Sequence, residues 1–282
     1  YEQFKDSIGE LAVGEVHHIR HKHVILLDDE GNEYILPKEN QIPSDFFRKG
    51  DNVRAVIETV DFKGSKLQIF VSRKAPKFLE KLLELEMPEI QDGTIILKKV
   101  VRIPGEKAKI AVDAYDDRID PVGACVGVKG SRIHGVVREL KNENIDVIQW
   151  SRNSEILVKR ALGNVTINKV EINEDENYAL VYTPVEEISK VIGKQGQNIR
   201  LASWLSGFEI DVYREKQADD DVELTEFDDE IEAWIIAEFK KVGLETAKSV
   251  LDKDTEALVN MTDLEEETIE EVKRILKAEF ED

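Results

Sequence analysis

The sequence predicts a multidomain α+β protein: a small β-barrel, two copies of one mixed helix–strand repeat, and an all-α module at the C-terminal end. Three observations carry this prediction. Short runs rich in Val, Ile and Leu, separated by turn residues, fill the first quarter of the 282-residue chain. Two GxxG loops, Gly127-Val128-Lys129-Gly130 and Gly193-Lys194-Gln195-Gly196, stand 66 residues apart in matching surroundings. The net charge of −20 is unevenly spread: residues 217–282 hold 23 acidic and 7 basic side chains, the first 216 hold 36 and 32. A nearly neutral body therefore carries an acidic tail.

The barrel comes first. Leu11–Arg20, His23–Asp28, Glu33–Leu36, Val53–Asp61 and Leu67–Ser72 read as strands, with turns at Asp28–Asn32 and Phe62–Ser65. Five strands with a longer connection after the third suit an OB-type barrel over residues 1–75. Its ligand-facing aromatic is read as Tyr34, with His17, His18, His21 and His23 nearby. In a strand His17 and His18 would face opposite sides, which argues against a metal site.

The repeats follow. Lys77–Met87 places Phe78, Leu79, Leu82, Leu83 and Leu85 at helical spacing, and Pro88 is expected to end that helix. Thr94–Ile103 and Ala108–Ala114 form a hairpin across Pro104-Gly105-Glu106, ahead of the first GxxG loop. Asn153–Leu162 opens the second copy, with strands at Val165–Ile172 and Tyr178–Tyr182 ahead of the second loop. Each loop has an apolar residue before it (Val126, Ile192) and an Ile three residues after its last glycine (Ile133, Ile199). Each is followed by a helical stretch and an Ile-Asp-Val strand, Ile145–Val147 or Ile210–Val212. A bare GxxG arises by chance about once at this glycine content, so the duplicated context is the signal. The order helix, strand, strand, helix, GxxG, helix, strand is that of a type II KH domain, an α/β fold, giving domains at 76–151 and 152–214.

Glu215–Val222 reads as an acidic linker, and 223–282 as three or four short helices. Ile231, Ile235, Ala237 and Phe239 mark one helix; Ile269, Val272, Ile275 and Leu276 mark another, with Thr262 or Asp263 placed to cap it. The module resembles a helix-hairpin-helix.

A GxxG loop at a helix N-terminus suits single-stranded nucleic acid. Unpaired backbone N–H groups and the helix dipole favour a phosphate there, and glycine lets the sugar–phosphate chain approach. The residues assigned to RNA are Gly127, Val128, Lys129, Gly130, Ser131 and Arg132 in the first repeat. Those of the second are Lys190, Gly193, Lys194, Gln195, Gly196, Gln197, Asn198 and Arg200. The lysines and arginines would meet phosphates, and Gln197 and Asn198 base edges. Ile133, Val147, Ile199 and Val212 would floor grooves of about four nucleotides each.

Arg118-Ile-Asp-Pro-Val-Gly-Ala-Cys-Val-Gly-Val-Lys-Gly-Ser-Arg-Ile133 resembles the NusA family of transcription termination/antitermination factors. So do Gly193-Lys-Gln-Gly-Gln-Asn-Ile-Arg-Leu-Ala-Ser-Trp-Leu-Ser-Gly-Phe-Glu-Ile210 and Glu86-Met-Pro-Glu-Ile90. The resemblance covers residues 1–213, including a barrel of the ribosomal-protein-S-one type. It implies a bacterial protein that contacts nascent RNA and RNA polymerase and modulates pausing, termination and antitermination. It also implies that the family's N-terminal polymerase-binding domain is missing, consistent with a fragment that opens at Tyr1. The acidic tail resembles helical repeats that dock protein partners, here other transcription factors.

Other chemistries are disfavoured. The single Cys125 excludes an internal disulfide framework, fits a cytoplasmic protein and reads as structural. Trp150 and Trp204 read as core residues. No P-loop, nucleophile elbow or HExxH is present, so no enzyme, cofactor or metal is expected. No run is apolar enough to span a bilayer, the tail's charge argues against DNA, and a monomer is expected. The competing reading is the accessory RNA-binding region of an RNA-processing enzyme.

Overall fold

A one-turn helix α1 (Glu2–Lys5) leads into β1 (Leu11–Ile19), β2 (His23–Leu27), β3 (Glu33–Pro37), β4 (Asn52–Lys63) and β5 (Lys66–Ser72). The computed structural model describes residues 2–214 and 221–280, except the side chains of Glu2 and Gln3. The five strands close into a barrel in the order β1-β2-β3-β5-β4, with β3 and β5 parallel and the other pairs antiparallel. Alternation in β1 turns Ala12, Gly14 and Val16 inward, where they meet Val24, Leu26, Leu36, Ala55 and Val71. A Cβ on Gly14 would lie 2.9 Å from Leu26 Cβ, so glycine permits the close approach of β1 and β2.

Several expectations need correction in the barrel. Tyr34 is a core residue, 6% exposed, its hydroxyl donating to Asp28 Oδ2 at 2.9 Å. It therefore presents no ring to a ligand. A bulge between Val16 and His18 breaks the alternation of β1. His17 and His18 are consequently both exposed, with ring centroids 4.3 Å apart, instead of facing opposite sides. Phe62 and Lys63 belong to β4, leaving Gly64 and Ser65 as the turn.

In the first repeat, α2 (Pro76–Glu86) starts with Pro76 in its first turn and buries Phe78, Leu79, Leu82 and Leu83. Leu85 falls off that stripe and is 55% exposed. Met87 is extended, and Pro88 opens a further one-turn helix, α3 (Pro88–Gln91). Next come β6 (Ile95–Ile103), β7 (Lys107–Ala114), α4 (Pro121–Val126), α5 (Ser131–Glu139) and β8 (Asn144–Gln149). The sheet order is β6-β7-β8, the first pair antiparallel and the second parallel.

The second repeat has the same plan: α6 (Ser154–Leu162), β9 (Lys169–Asn173), β10 (Tyr178–Thr183), α7 (Val185–Ile192), α8 (Gln197–Ser206) and β11 (Glu209–Arg214). Asn153 caps α6 through a bond from Ile156 N–H. Residues 165–168 are not strand as expected. One backbone bond, Asn168 N–H to Tyr182 O at 2.9 Å, ties its end to β10, and side chains hold Thr166: its N–H donates to Glu187, and the Thr183 hydroxyl donates to its carbonyl at 2.6 Å.

Two buried arginines lock the barrel to the first repeat. Arg73 donates to Asp45, to Arg54 O, and to Glu139 Oε1 and O at the end of α5. Arg102 binds Glu143 through two bonds of 3.0 and 2.8 Å and also donates to Arg73 O and Ala75 O. Ile42 and Val56 of the barrel join the core of the first repeat. Such multiply bonded pairs cost a desolvation penalty but fix one relative orientation.

Residues 1–214 and 215–282 are separate compact units. Within the second, a single helical turn at Leu224–Phe227 precedes α9 (Ala233–Lys241), α10 (Ala247–Leu251), α11 (Thr255–Met261) and α12 (Glu266–Ala278). Leu224, Phe239, Ala247, Val250, Leu258, Ile269, Val272 and Leu276 form its core. Ala237 is exposed and Ile231 precedes α9. The expected cap of α12 is absent: Glu265 occupies the N-cap without a side-chain bond. Thr262 closes α11 instead, its hydroxyl donating to Leu258 O and accepting Leu264 N–H. The sequence-predicted linker residues 215–220 lie outside the described residues, whereas Asp221 accepts Lys248 N–H within the helical unit.

Candidate nucleic-acid interface

Each GxxG loop ends one helix and begins another. Asp120 starts α4 by accepting Val122 and Gly123 N–H at 3.2 and 3.1 Å. Gly127 ends that helix at φ +74°, ψ 176°, and Gly193 ends α7 at φ +75°, ψ 172°, a conformation open essentially to glycine alone. Lys129 and Gln195 then take the same left-handed φ of +53°, followed by Gly130 at +75° and Gly196 at +70°. In both loops the last glycine's N–H bonds to the first glycine's carbonyl, at 3.2 and 3.1 Å. Two sequences sharing only their glycines thus trace one backbone path.

The two glycines of each loop serve different ends. A Cβ on Gly127 would lie 2.9 Å from Arg132 Cγ, and one on Gly193 2.6 Å from Asn198 Cβ. The first glycine therefore lets the following helix pack back over the loop. A Cβ on Gly196 would meet nothing within 4 Å, and one on Gly130 only Ile133 Cγ2 at 3.9 Å. The second glycine faces open space. Directly after it, α5 and α8 begin without a side-chain N-cap. Helix N-terminal amides are thus offered at a point with no Cβ in the way. Beside the loops, Ile133, Val147, Ile199 and Val212 are half-buried, an apolar floor still open to a ligand.

Comparison with known proteins bears on this geometry. Residues 73–150 match the model of the NusA-like first KH domain, and residues 154–220 that of the NusA-like second KH domain. The transcription termination/antitermination protein NusA of Halalkalibacterium halodurans is 41% identical over 218 residues, 77% of this chain and 57% of that protein. The Bacillus subtilis protein of the same name is 38% identical over 218 residues, covering 77% and 58%. That of Thermus thermophilus is 34% identical over 210 residues, covering 74% and 54%. The chain belongs to the NusA family. It spans little more than half the length of these NusA relatives.

Within the paired NusA-like KH domains, the predicted residues fall into two sets. Lys129, Ser131, Lys190, Lys194, Gln195 and Arg200 are exposed, Val128 is 81% exposed, and Gln197 is half-buried. Lys190 pairs with Glu187 one turn back on α7. Lys194 lies 3.9 Å from Glu106 in the turn between β6 and β7, and Arg200 reaches Gln195 O at 3.5 Å.

Arg132 and Asn198 stand at the same place after their loops and both reach backwards. Arg132 Nη1 donates to Ala124 O at 3.2 Å and to Glu89 Oε1 at 2.7 Å. Asn198 is buried, its Nδ2 donating to Leu162 O and Val191 O at 2.9 and 3.0 Å. The expectation that Asn198 reads a base edge is therefore corrected: its amide donors close the fold.

Other features were missed or misread. Glu89, tethering Arg132 across 43 residues, gave no local sign in the sequence, and the Arg132 hydrogen bond holds its carboxyl below the usual range. Trp204 is 47% exposed, not core, whereas Trp150 packs half-buried against the second KH core. Cys125 is fully buried, and burial pushes its thiol up to about 11, so it is no nucleophile. On the barrel, Phe70, Ile35 and His23 line a shallow cavity of about 340 Å³ with Lys22 and Lys38. Phe70 lies between the inward-facing Ile69 and Val71, an alternation that would have marked it as outward-facing. Among the described residues, no cluster of His, Cys, Asp and Glu could hold a metal ion, and no helix is long and apolar enough to cross a membrane.

Proposed function

We propose that this chain grips nascent single-stranded RNA through both KH domains as part of a transcription factor that also contacts RNA polymerase. In this reading it modulates pausing, termination and antitermination in the bacterial cytoplasm. The observation that carries it is the pair of near-identical GxxG backbones, each with its second glycine open to solvent. Lys129, Arg132, Lys190, Lys194 and Arg200 would neutralise phosphates, while Ser131, Gln195 and Gln197 bond to sugar or base. The names of these relatives favour a transcription factor over an accessory region of an RNA-processing enzyme.

The domain plan under this proposal is an OB-type barrel at 1–75, KH domains at 76–151 and 152–214, and an acidic helix-hairpin-helix-like module at 223–282. The barrel would add a weaker contact through Phe70, His23 and Lys38. The charge of −16 over residues 217–282 repels nucleic acid and suits other transcription factors as partners. The chain acts as a monomer, without cofactor.

The test is the double variant Gly130→Asp with Gly196→Asp. RNA affinity should fall about a hundred-fold or more, close to 3 kcal/mol. Unfolding should shift by only about 1 kcal/mol per site, because each new side chain points into open space. Unchanged RNA affinity in a folded double variant would refute the loop mechanism.

A further inference from the structure

The two KH sheets turn equivalent faces outward, away from their own cores, and in the first repeat that face is covered. Its rows across β6, β7 and β8 are Ile103-Lys107-Asn144, Val101-Lys109-Asp146 and Lys99-Ala111-Ile148. Val101, Ala111 and Ile148 pack into the core of the second repeat against residues of α6 and α8. Lys109 is wholly buried there and donates to Asp146 at 2.7 Å.

In the second repeat the corresponding rows across β9, β10 and β11 are Asn173-Tyr178-Glu209, Glu171-Leu180-Asp211 and Lys169-Tyr182-Tyr213. Asp211 holds the place in Ile-Asp-Val that Asp146 holds in the first. Here it accepts the Tyr178 hydroxyl in place of a buried lysine. Tyr178, Leu180 and Tyr182 are half-buried, and Tyr213 is 48% exposed. The Tyr182 and Tyr213 rings lie 6.0 Å apart. This is an aromatic centre flanked by the carboxylates of Glu209 and Asp211, with Lys169 paired to Glu171 at 2.6 Å and its ammonium 5.6 Å from the centre of the Tyr182 ring.

We propose that this face docks a basic amphipathic helix of a partner protein. A helix is the occupant because α8 already packs against the equivalent face of the first repeat. A basic one fits because the carboxylates of Glu209 and Asp211 flank the tyrosines, Lys169 already sets a cation over the Tyr182 ring, and arginine both pairs with carboxylate and stacks on phenol rings. The same carboxylates repel phosphate, so RNA belongs on the loops and not here.

The test uses the full chain and a fluorescent, Arg/Leu-patterned helical peptide of about 18 residues, five turns. A Glu-for-Arg version is the control, and fluorescence anisotropy reads binding. The basic peptide should bind, and the acidic one should not. Glu209→Lys with Asp211→Lys should weaken the basic peptide about ten-fold or more, and Tyr213→Ala several-fold. Neither change should alter affinity for RNA, and saturating the loops with a ten-nucleotide RNA should leave the peptide bound. Tyr213→Ala removes a half-exposed ring, so it keeps the test decisive should the charge reversal fail to fold. Equal binding by parent and Tyr213→Ala, equal binding of both peptides, or displacement of the peptide by RNA would each overturn the proposal.

Discussion

The first and second GxxG loops have the same backbone and different locks. In the first, Arg132 reaches back to Ala124 O and is tethered by Glu89. In the second, a buried Asn198 closes the joint through carbonyls of α6 and α7. Loop shape is therefore set by the glycines and the helix ends, while the residue behind the loop decides whether the joint is a surface cation or a buried amide. The first solution keeps a charge near the phosphate site; the second gives that up for a tighter closure.

The strongest test of this difference is alanine at the first glycine of each loop. Both positions hold a φ and ψ that alanine resists, at about 1–3 kcal/mol. The obstacles differ. At Gly193 the new Cβ meets Asn198 Cβ at 2.6 Å and its backbone N at 3.0 Å, which can yield only if α8 moves. At Gly127 it meets Arg132 Cγ at 2.9 Å, Ser131 Oγ at 3.1 Å and Arg132 Cβ at 3.2 Å, side-chain atoms of which the closest two can move by χ1 rotation. Gly193→Ala should cost roughly 3–5 kcal/mol and Gly127→Ala distinctly less, read as urea unfolding midpoints. Equal losses would show that backbone strain alone matters and that the locks are equivalent.

Next in size is removal of the locks. Asn198→Ala orphans buried carbonyls and should destabilise by about 2 kcal/mol with little direct effect on RNA once folded. Arg132→Ala, on a half-exposed side chain, should cost about 1 kcal/mol or less yet lower RNA affinity. If Asn198→Ala abolished RNA binding at unchanged stability, the assignment of the two locks would be reversed.

A smaller effect concerns the Ile-Asp-Val strand of the first repeat in acid. Burial alone would raise the Asp146 carboxyl, but Lys109 at 2.7 Å and Lys107 at 3.2 Å outweigh it and hold it below the usual carboxylate value of 3.8. A carboxyl depressed on folding stabilises above its unfolded value, and that contribution is lost as pH falls through the folded value. Urea midpoints of the parent should therefore drop on acidification below about pH 4, and Asp146→Asn should flatten that limb. An unaltered acid limb in Asp146→Asn would remove this pair from the account.

Much of this arrangement was legible in the chain, for a physical reason. Runs of Val, Ile and Leu between turn residues marked β1, β2 and β5 because each strand turns alternate side chains into the barrel. The repeated flanks of the loops marked both KH domains because apolar residues must sit at fixed distances from a helix joint. What escaped depends on partners distant in sequence. Asn198 looked like a surface amide because its acceptor Leu162 lies 36 residues away, and Glu89 is likewise remote from Arg132. Residues 165–168 read as strand because the side-chain bonds that Thr166 makes with Glu187 and Thr183 in place of ladder bonds leave no mark on apolar periodicity.

The finest distinction concerns the two loop lysines. Both are exposed, and each should account for about one phosphate, lowering the salt slope of single-strand binding by roughly 0.7 when replaced by alanine. Lys194 has Glu106 at 3.9 Å from the neighbouring domain, so part of its field is already cancelled before RNA arrives. A phosphate displacing that contact releases fewer small cations than one meeting Lys129, for which no carboxylate of the described residues stands within ion-pair distance. Lys129→Ala should then lower the slope by the full amount and Lys194→Ala by less, with Glu106→Gln restoring the larger value at the second loop. If Glu106→Gln left the Lys194→Ala slope difference untouched, the two loops would be electrostatically equal, and their asymmetry would be confined to the locks behind them.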